Sequence, residues 1–133
     1  MKVFLDANVQ AAALTTRGLC AELFEVILQS HELLTSNPLL LELERILSGK
    51  LGQSGEVTQG FINLLRKHAL LITTERPSHS LPDADDEPII ASAIAGNAAI
   101  FVTGDKTLLE LQSVGQLPMV SPRKFWGMLS GRE

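Results

Sequence analysis

The sequence predicts an α/β fold, a central parallel sheet covered by helices on both faces in three layers. Three observations carry this reading. Short apolar β-type runs recur along the chain, and segments with helical spacing separate them. Capping and breaking residues fall at the joints between these segments. The 133 residues suit one domain over positions 1–133, large enough to bury a core without disulfides or metals. Strands joined through helices need crossover connections, which make the sheet parallel and bury both its faces.

Each element follows in order. Val3-Phe4-Leu5 is the first strand, ended by Asp6-Ala7-Asn8. Ala11 to Leu14 reads as a short helix, which Thr15-Thr16-Arg17-Gly18 breaks. Leu19, Leu23, Val26 and Ile27 recur at helical spacing, and Leu33-Leu34-Thr35 is a second strand. Ser36-Asn37-Pro38 places a capping side chain ahead of a proline in the first turn, opening a helix with Leu39, Leu40, Leu43, Ile46 and Leu47 on one stripe. Positions 49–55 form a loop. Val57, Phe61, Leu64 and Leu65 mark the next helix, and Leu70 to Thr73 a third strand. A polar loop covers 74–82, and Asp83 to Pro88 opens a helix through Ile90, Ala93 and Ile94 that Gly96-Asn97 ends. Ala99 to Thr103 is the fourth strand, followed by Gly104-Asp105 and a short helix with Leu108, Leu109 and Leu111. Met119-Val120 is the last strand, and Pro122 opens a final helix with Phe125, Trp126 and Leu129.

Composition narrows the function. Hydrophobic residues make up 45% and charged residues 20%, which excludes a disordered chain. The net charge of −4 argues against a protein that holds nucleic acid by phosphate contacts alone, so such a role needs a local basic patch or a metal ion. A single cysteine excludes an internal disulfide and a cysteine zinc cluster, and points to the cytoplasm. No apolar run approaches the roughly 18 residues of a membrane span, and the segment from Met1 to Asp6 is no signal peptide.

The acids carry the chemistry. Ligands of open parallel sheets bind outside the carboxyl ends of the strands. Asp6 follows the first strand and Asp105 the fourth, so both fall on that edge. Asp83, Asp85, Asp86 and Glu87 sit at the start of the helix that feeds the Asp105 strand, which brings them to the same edge. Crowded like charges are costly unless a cation neutralises them, and hard oxygen donors suit Mg2+ or Mn2+. Plainer roles exist for each: Asp6 as a helix cap, Asp86 as an N-cap, Asp105 as a turn residue. Glu42 and Glu44 each lie about 100° from Leu43, the centre of the apolar stripe, and the helical wheel does not choose between them. His31, His68 and His79 match no ligand spacing and read as surface residues; Cys20 lies among apolar neighbours and reads as core. The chain has no phosphate-binding glycine loop and no serine with a His-Asp pair nearby.

Taken in order, Leu5-Asp6-Ala7-Asn8-Val9, Thr35-Ser36 with Leu39-Leu40-Leu41-Glu42-Leu43, Asp83 to Ala91, and Phe101-Val102-Thr103-Gly104-Asp105-Lys106 resemble the PIN-domain ribonucleases. The likeness is to their branch of bacterial toxins from toxin–antitoxin pairs and covers nearly the whole chain. It implies an α/β/α fold and Mg2+- or Mn2+-dependent hydrolysis of RNA phosphodiesters, in which water attacks phosphorus in line and no side-chain nucleophile is needed. Carried over by position, Asp6, Glu42 rather than Glu44, Asp86 and Asp105 are the catalytic and metal-binding acids. Asp85 is a further metal contact, and Asp85 and Glu87 are the alternatives to Asp86 as the third acid. Asn8 and Thr103 match polar positions that support the acids, and Ala7 departs from the Thr or Ser more usual there. Arg17, Lys50 and Lys106 are the cations expected to meet RNA. The implied partners are an RNA substrate, a cognate antitoxin and a second copy of the chain in a homodimer, with no membrane. The rival readings are a haloacid dehalogenase-type phosphatase, for which Asn8 lacks the needed carboxyl group, and a non-catalytic PIN scaffold for partner binding.

Overall fold

The computed structural model describes residues 1–73, 77 and 79–131. Positions 74–76 and 78 of the expected polar loop lie outside the described residues. Strand β1 (Lys2–Leu5) runs into helix α1 (Ala7–Thr15), and α2 (Leu19–Ser30) leads to β2 (Glu32–Ser36). Helix α3 (Asn37–Arg45) passes into a π-helical turn (Ile46–Lys50), α4 (Gly55–His68) and β3 (Leu70–Ile72). A 3-10 turn (Ala84–Asp86) precedes α5 (Glu87–Ala95) and β4 (Ile100–Val102). Helix α6 (Lys106–Leu111), β5 (Ser113–Val114), β6 (Leu117–Val120) and α7 (Pro122–Leu129) complete the chain.

The strands form one six-stranded sheet in the order β3-β2-β1-β4-β6-β5, flanked by helices. The four pairings from β3 to β6 are parallel, as the crossover argument requires. Strand β1 is central: Phe4 stands opposite Leu34 on one side and Phe101 on the other. The Phe4 and Phe101 rings stack with centroids 5.5 Å apart, and both are buried. An aromatic pair of this kind contributes about 0.5–1.5 kcal/mol beyond its buried area. Chain order reverses between β1 and β4, so their carboxyl ends frame the crevice at the switch point.

The last pairing differs from expectation. Strands β5 and β6 are antiparallel, and β6 begins at Leu117, two residues before Met119. Gly115, with φ +59°, makes the tight turn between them, a conformation that favours glycine. A two-residue strand is too short to show a period in the sequence, which is why β5 was not expected.

Helix α4 is rotated relative to the expected stripe. Thr58, Ile62 and Leu65 are buried, while Val57 and Leu64 are 44% and 38% exposed. Its start also differs, since Ser54 caps it at Gly55 and the preceding helix winds on through the π-helical turn to Lys50. Helix α3 opens as read: the Ser36 hydroxyl accepts from the Leu39 N–H, and Leu39, Leu40 and Leu43 are buried. Cys20 is partly buried against the core. His31 contacts the N-terminal amine at 3.0 Å, and His68 is exposed. Among the described residues no helix is long and apolar enough to cross a membrane.

Candidate active site

Asp6 sits one residue beyond β1, where its own N–H donates to the Val102 carbonyl of β4 at 2.9 Å. This bond ties the two strand ends together and leaves the side chain at their crevice. One carboxylate oxygen accepts from the Ala7 N–H at 2.8 Å, capping α1. The other accepts from the Thr103 hydroxyl at 2.6 Å. Thr103 is fully buried, and its oxygen also accepts from the Asp105 N–H at 3.0 Å. A single hydroxyl therefore links the backbone at Asp105 to the carboxylate of Asp6. Asp105 in turn caps α6, accepting from the Thr107 N–H at 2.8 Å.

The helix-start acids divide by role. Asp83 caps the 3-10 turn by accepting from the Asp85 N–H at 2.9 Å. Asp86 is the last residue before α5 but makes no capping bond with its side chain, so the plain N-cap role open to it is not the one it plays. Glu87 folds back, and its carboxylate accepts from the Leu81 N–H at 3.1 Å. Pro88 sits in the first turn of α5, as the helix start near Asp86 or Glu87 requires.

These elements enclose a pocket of about 160 Å3 lined by Asp6, Ala7, Asn8, Glu42, Asp83, Asp85, Asp86, Ile89 and Asp105. It gathers Asp6, Glu42, Asp85, Asp86 and Asp105, with Asn8 at its wall and Thr103 behind Asp6. Glu44 and Glu87 are not among its lining residues. Asp83 is exposed and also lines the pocket. Glu42 makes an ion pair with Arg45 at 3.6 Å. Larger hollows of about 570 Å3 beside Lys124 and 440 Å3 beside His79 hold no such group of acids, so chemistry rather than volume singles out this pocket.

The electrostatics follow from the crowding. Burial pushes the Asp86 carboxyl up to about 6, and the charges of Asp6, Asp83, Asp105 and Asp85 push in the same direction. Burial also raises Asp6, with Asp105 and Glu42 adding to it, while the bonds from Thr103 and Ala7 pull the other way. The donor set is hard, oxygen-only and mutually repelling, which fits a divalent cation such as Mg2+ or Mn2+. Among the described residues, no three carboxylates are posed as a ready three-ligand cage. Acids that serve one ion are expected to converge within its reach, and in this pose they share a pocket without doing so.

One contributor escaped the sequence reading. Gln10 is fully buried in α1 and donates to the Leu5 carbonyl at 2.9 Å, fixing the end of β1 beside Asp6. A polar residue inside an otherwise apolar helical stretch was the available signal.

Comparison with known proteins places the chain. A family model described as PIN domain matches residues 2–107. No curated protein matches the chain. Among solved structures, VapBC2 from Rickettsia felis, bound to a DNA fragment from its promoter, aligns with a TM-score of 0.67 at 17% identity, covering 91% of this chain and 98% of that one. VapBC-1 from nontypeable Haemophilus influenzae aligns with a TM-score of 0.64 at 20% identity, covering 92% and 99%. FitAcB from Neisseria gonorrhoeae aligns with a TM-score of 0.55 at 19% identity, covering 91% and 98%.

Proposed function

This chain belongs to the PIN-domain family, and on that premise we propose that it is a metal-dependent endoribonuclease, the toxin of a toxin–antitoxin pair. PIN domains are generally nucleases. The observation that carries the reading is the acidic pocket at the switch point between β1 and β4. Six carboxylates line a pocket of about 160 Å3 there, a density that helix capping does not need.

Asp6, Glu42, Asp86 and Asp105 would hold one or two Mg2+ or Mn2+ ions, with Asp85 as a further contact. A divalent cation held there would supply Lewis-acid chemistry toward the phosphodiester and its attacking water. The chain's own groups do the positioning. Thr103 orients Asp6 and steadies the Asp105 turn, and the Ala7 N–H fixes the second oxygen of Asp6. Asn8 stands on the pocket wall, where its amide can meet the substrate. Asp86 is chosen over Glu87 because the Glu87 carboxylate is engaged at Leu81.

The VapBC and FitAB assemblies among the structural neighbours support a cognate antitoxin as partner. A homodimer belongs to the same proposal, and exposed apolar side chains on α3, α4 and β3, among them Leu41, Leu64 and Leu70, offer surface for it. The proposed location is the cytoplasm and the proposed extent of the domain is residues 1–133. A haloacid dehalogenase-type phosphatase is not supported by the family match, and Asn8 lacks the carboxyl group such chemistry needs. The test is cleavage of a labelled RNA with Mg2+ or Mn2+. The reading expects cleavage that stops with EDTA and is lost in Asp86→Asn. Metal binding with no cleavage of any RNA would favour the non-catalytic scaffold.

A further inference from the structure

We propose that the hollow between α1 and the π-helical turn seats a nucleobase next to the scissile phosphodiester, with Lys50 against the adjoining backbone phosphate. The inference rests on the ribonuclease reading above. The hollow, about 190 Å3, borders the acidic pocket, because Asn8 lines both. Its α1 wall consists of Asn8, Ala11, Ala12 and Thr15, spaced as one face of a helix. Its opposite wall includes Ile46 and Lys50.

Three features select a nucleotide. The short side chains of Ala11 and Ala12 leave room for a flat ring between apolar walls, the setting in which proteins hold unstacked bases. Asn8, shared with the acidic pocket, stands on one wall and Lys50 on the other, while the Thr15 and Thr16 hydroxyls are spent on the Ala11 and Ala12 carbonyls. One ligand that is planar and apolar in the middle and anionic beside it satisfies both. An apolar side chain of a protein partner would fill the floor and leave Lys50 without an anion. The wall itself is built from an unusual backbone: the Leu51 N–H donates to the Ile46 carbonyl at 2.9 Å, a bond spanning five residues. Such turns concentrate at functional sites, and this one follows directly from the helix that carries Glu42.

The test titrates isotope-labelled protein in Mg2+ with uridine and adenosine 5′-monophosphates and with ribose 5-phosphate, reading backbone amide shifts. The nucleotides should shift Ala11, Ala12, Ile46 and Lys50, and ribose 5-phosphate should bind about tenfold more weakly without moving Ala12. Ala12→Leu, which fills the hollow, should weaken nucleotide binding about tenfold and spare ribose 5-phosphate; Lys50→Ala, at an exposed position, should weaken both. In cleavage assays Ala12→Leu should lower kcat/KM about tenfold on an intact RNA, but not on one with an abasic nucleotide beside the cleaved bond. Equal shifts from ribose 5-phosphate, shifts that avoid Ala11 and Ala12, or wild-type behaviour of Ala12→Leu in both assays would overturn the proposal. Nucleotide binding in the hollow with no RNA cleaved sustains the pocket and overturns the ribonuclease reading. RNA cleavage with unchanged kcat/KM in Ala12→Leu does the reverse.

Discussion

The interior of β1 and β4 and the acids just past the carboxyl ends of the same two strands lie one to three residues apart and follow opposite rules. Inside, Phe4 and Phe101 stack, and Leu5 and Val102 are buried among apolar neighbours. At the ends, Asp6 and Asp105 stand with Glu42 and Asp86 in a pocket where burial and like charge raise two of the carboxyl groups. The first arrangement minimises the free energy of the folded chain. The second raises it, and the core beneath must offset the difference. Stability and proposed activity are therefore separable along a single strand, and substitutions on either side of that boundary should move different observables.

The largest stability effect belongs to the interior. Phe101→Ala should cost about 3–5 kcal/mol, from lost burial and the cavity beside Phe4. Denaturant melts would show it, and a loss under about 1 kcal/mol would mean the two rings do not anchor the sheet. At the edge the expected pattern inverts. Asp86→Asn should lower single-turnover RNA cleavage by about a thousandfold, about 4 kcal/mol, while the melting temperature in metal-free buffer stays equal or rises. Asp86 is a cleaner probe than Asp6, since its side chain makes no capping bond, whereas Asp6 accepts from Ala7 and Thr103. Asp85→Asn should impair cleavage partly and Asp83→Asn mildly. A dead Asp85→Asn beside an active Asp86→Asn would move the third acid by one position.

Thr103→Val tests the hinge between the two regions. It keeps the shape but removes the donor to Asp6 and the acceptor for the Asp105 N–H. A loss of about tenfold in cleavage and about 1–3 kcal/mol in stability is expected. An unchanged rate would mean that Asp6 needs no orienting group.

A smaller effect concerns pH. The folded-state pKa of Asp86 lies above its ordinary value, at about 6 against 3.8. The folded chain therefore holds this proton more tightly than the unfolded chain. The penalty is absent below about pH 4 and complete above about pH 6, so metal-free stability should fall as pH rises through that window. Melting temperatures taken from pH 4 to 7 should show a shallower fall in Asp86→Asn than in wild type. The smallest effect is expected for Glu87→Gln, whose amide oxygen can still accept from the Leu81 N–H and whose side chain lies off the pocket. Loss of cleavage there would return Glu87 to the site.

How much of this was legible in the sequence depends on length and on context. The four strands from β1 to β4 and the helices among them were readable, since each carries an apolar run or stripe with a cap or breaker beside it. Strand β5 was not, being two residues long. The buried stripe on α4 is not legible because Val57 and Leu64 are apolar yet turn outward, and a helical wheel cannot tell which of two adjoining apolar faces meets the core. At the site, topology alone brings Asp6, Asp105 and the acids from 83 to 87 to one edge. Glu42 stood level with Glu44 until the family resemblance separated them, because both flank Leu43 at equal angles. Asp83 on the pocket lining, Glu87 bonded back to Leu81, and Gln10 bonded to Leu5 depend on contacts between separate turns of chain, which periodicity does not encode.

In the proposed function the acids at the carboxyl edge serve a divalent cation and an RNA phosphodiester rather than the fold. Single-turnover cleavage of a labelled RNA by wild type and Asp86→Asn, each in Mn2+ and in EDTA, tests it most directly. The expected result is cleavage by wild type in Mn2+ alone, with Asp86→Asn inactive in both and at least as heat-stable in EDTA. Cleavage by wild type that persists in EDTA, or an inactive Asp86→Asn that melts clearly lower, would contradict it.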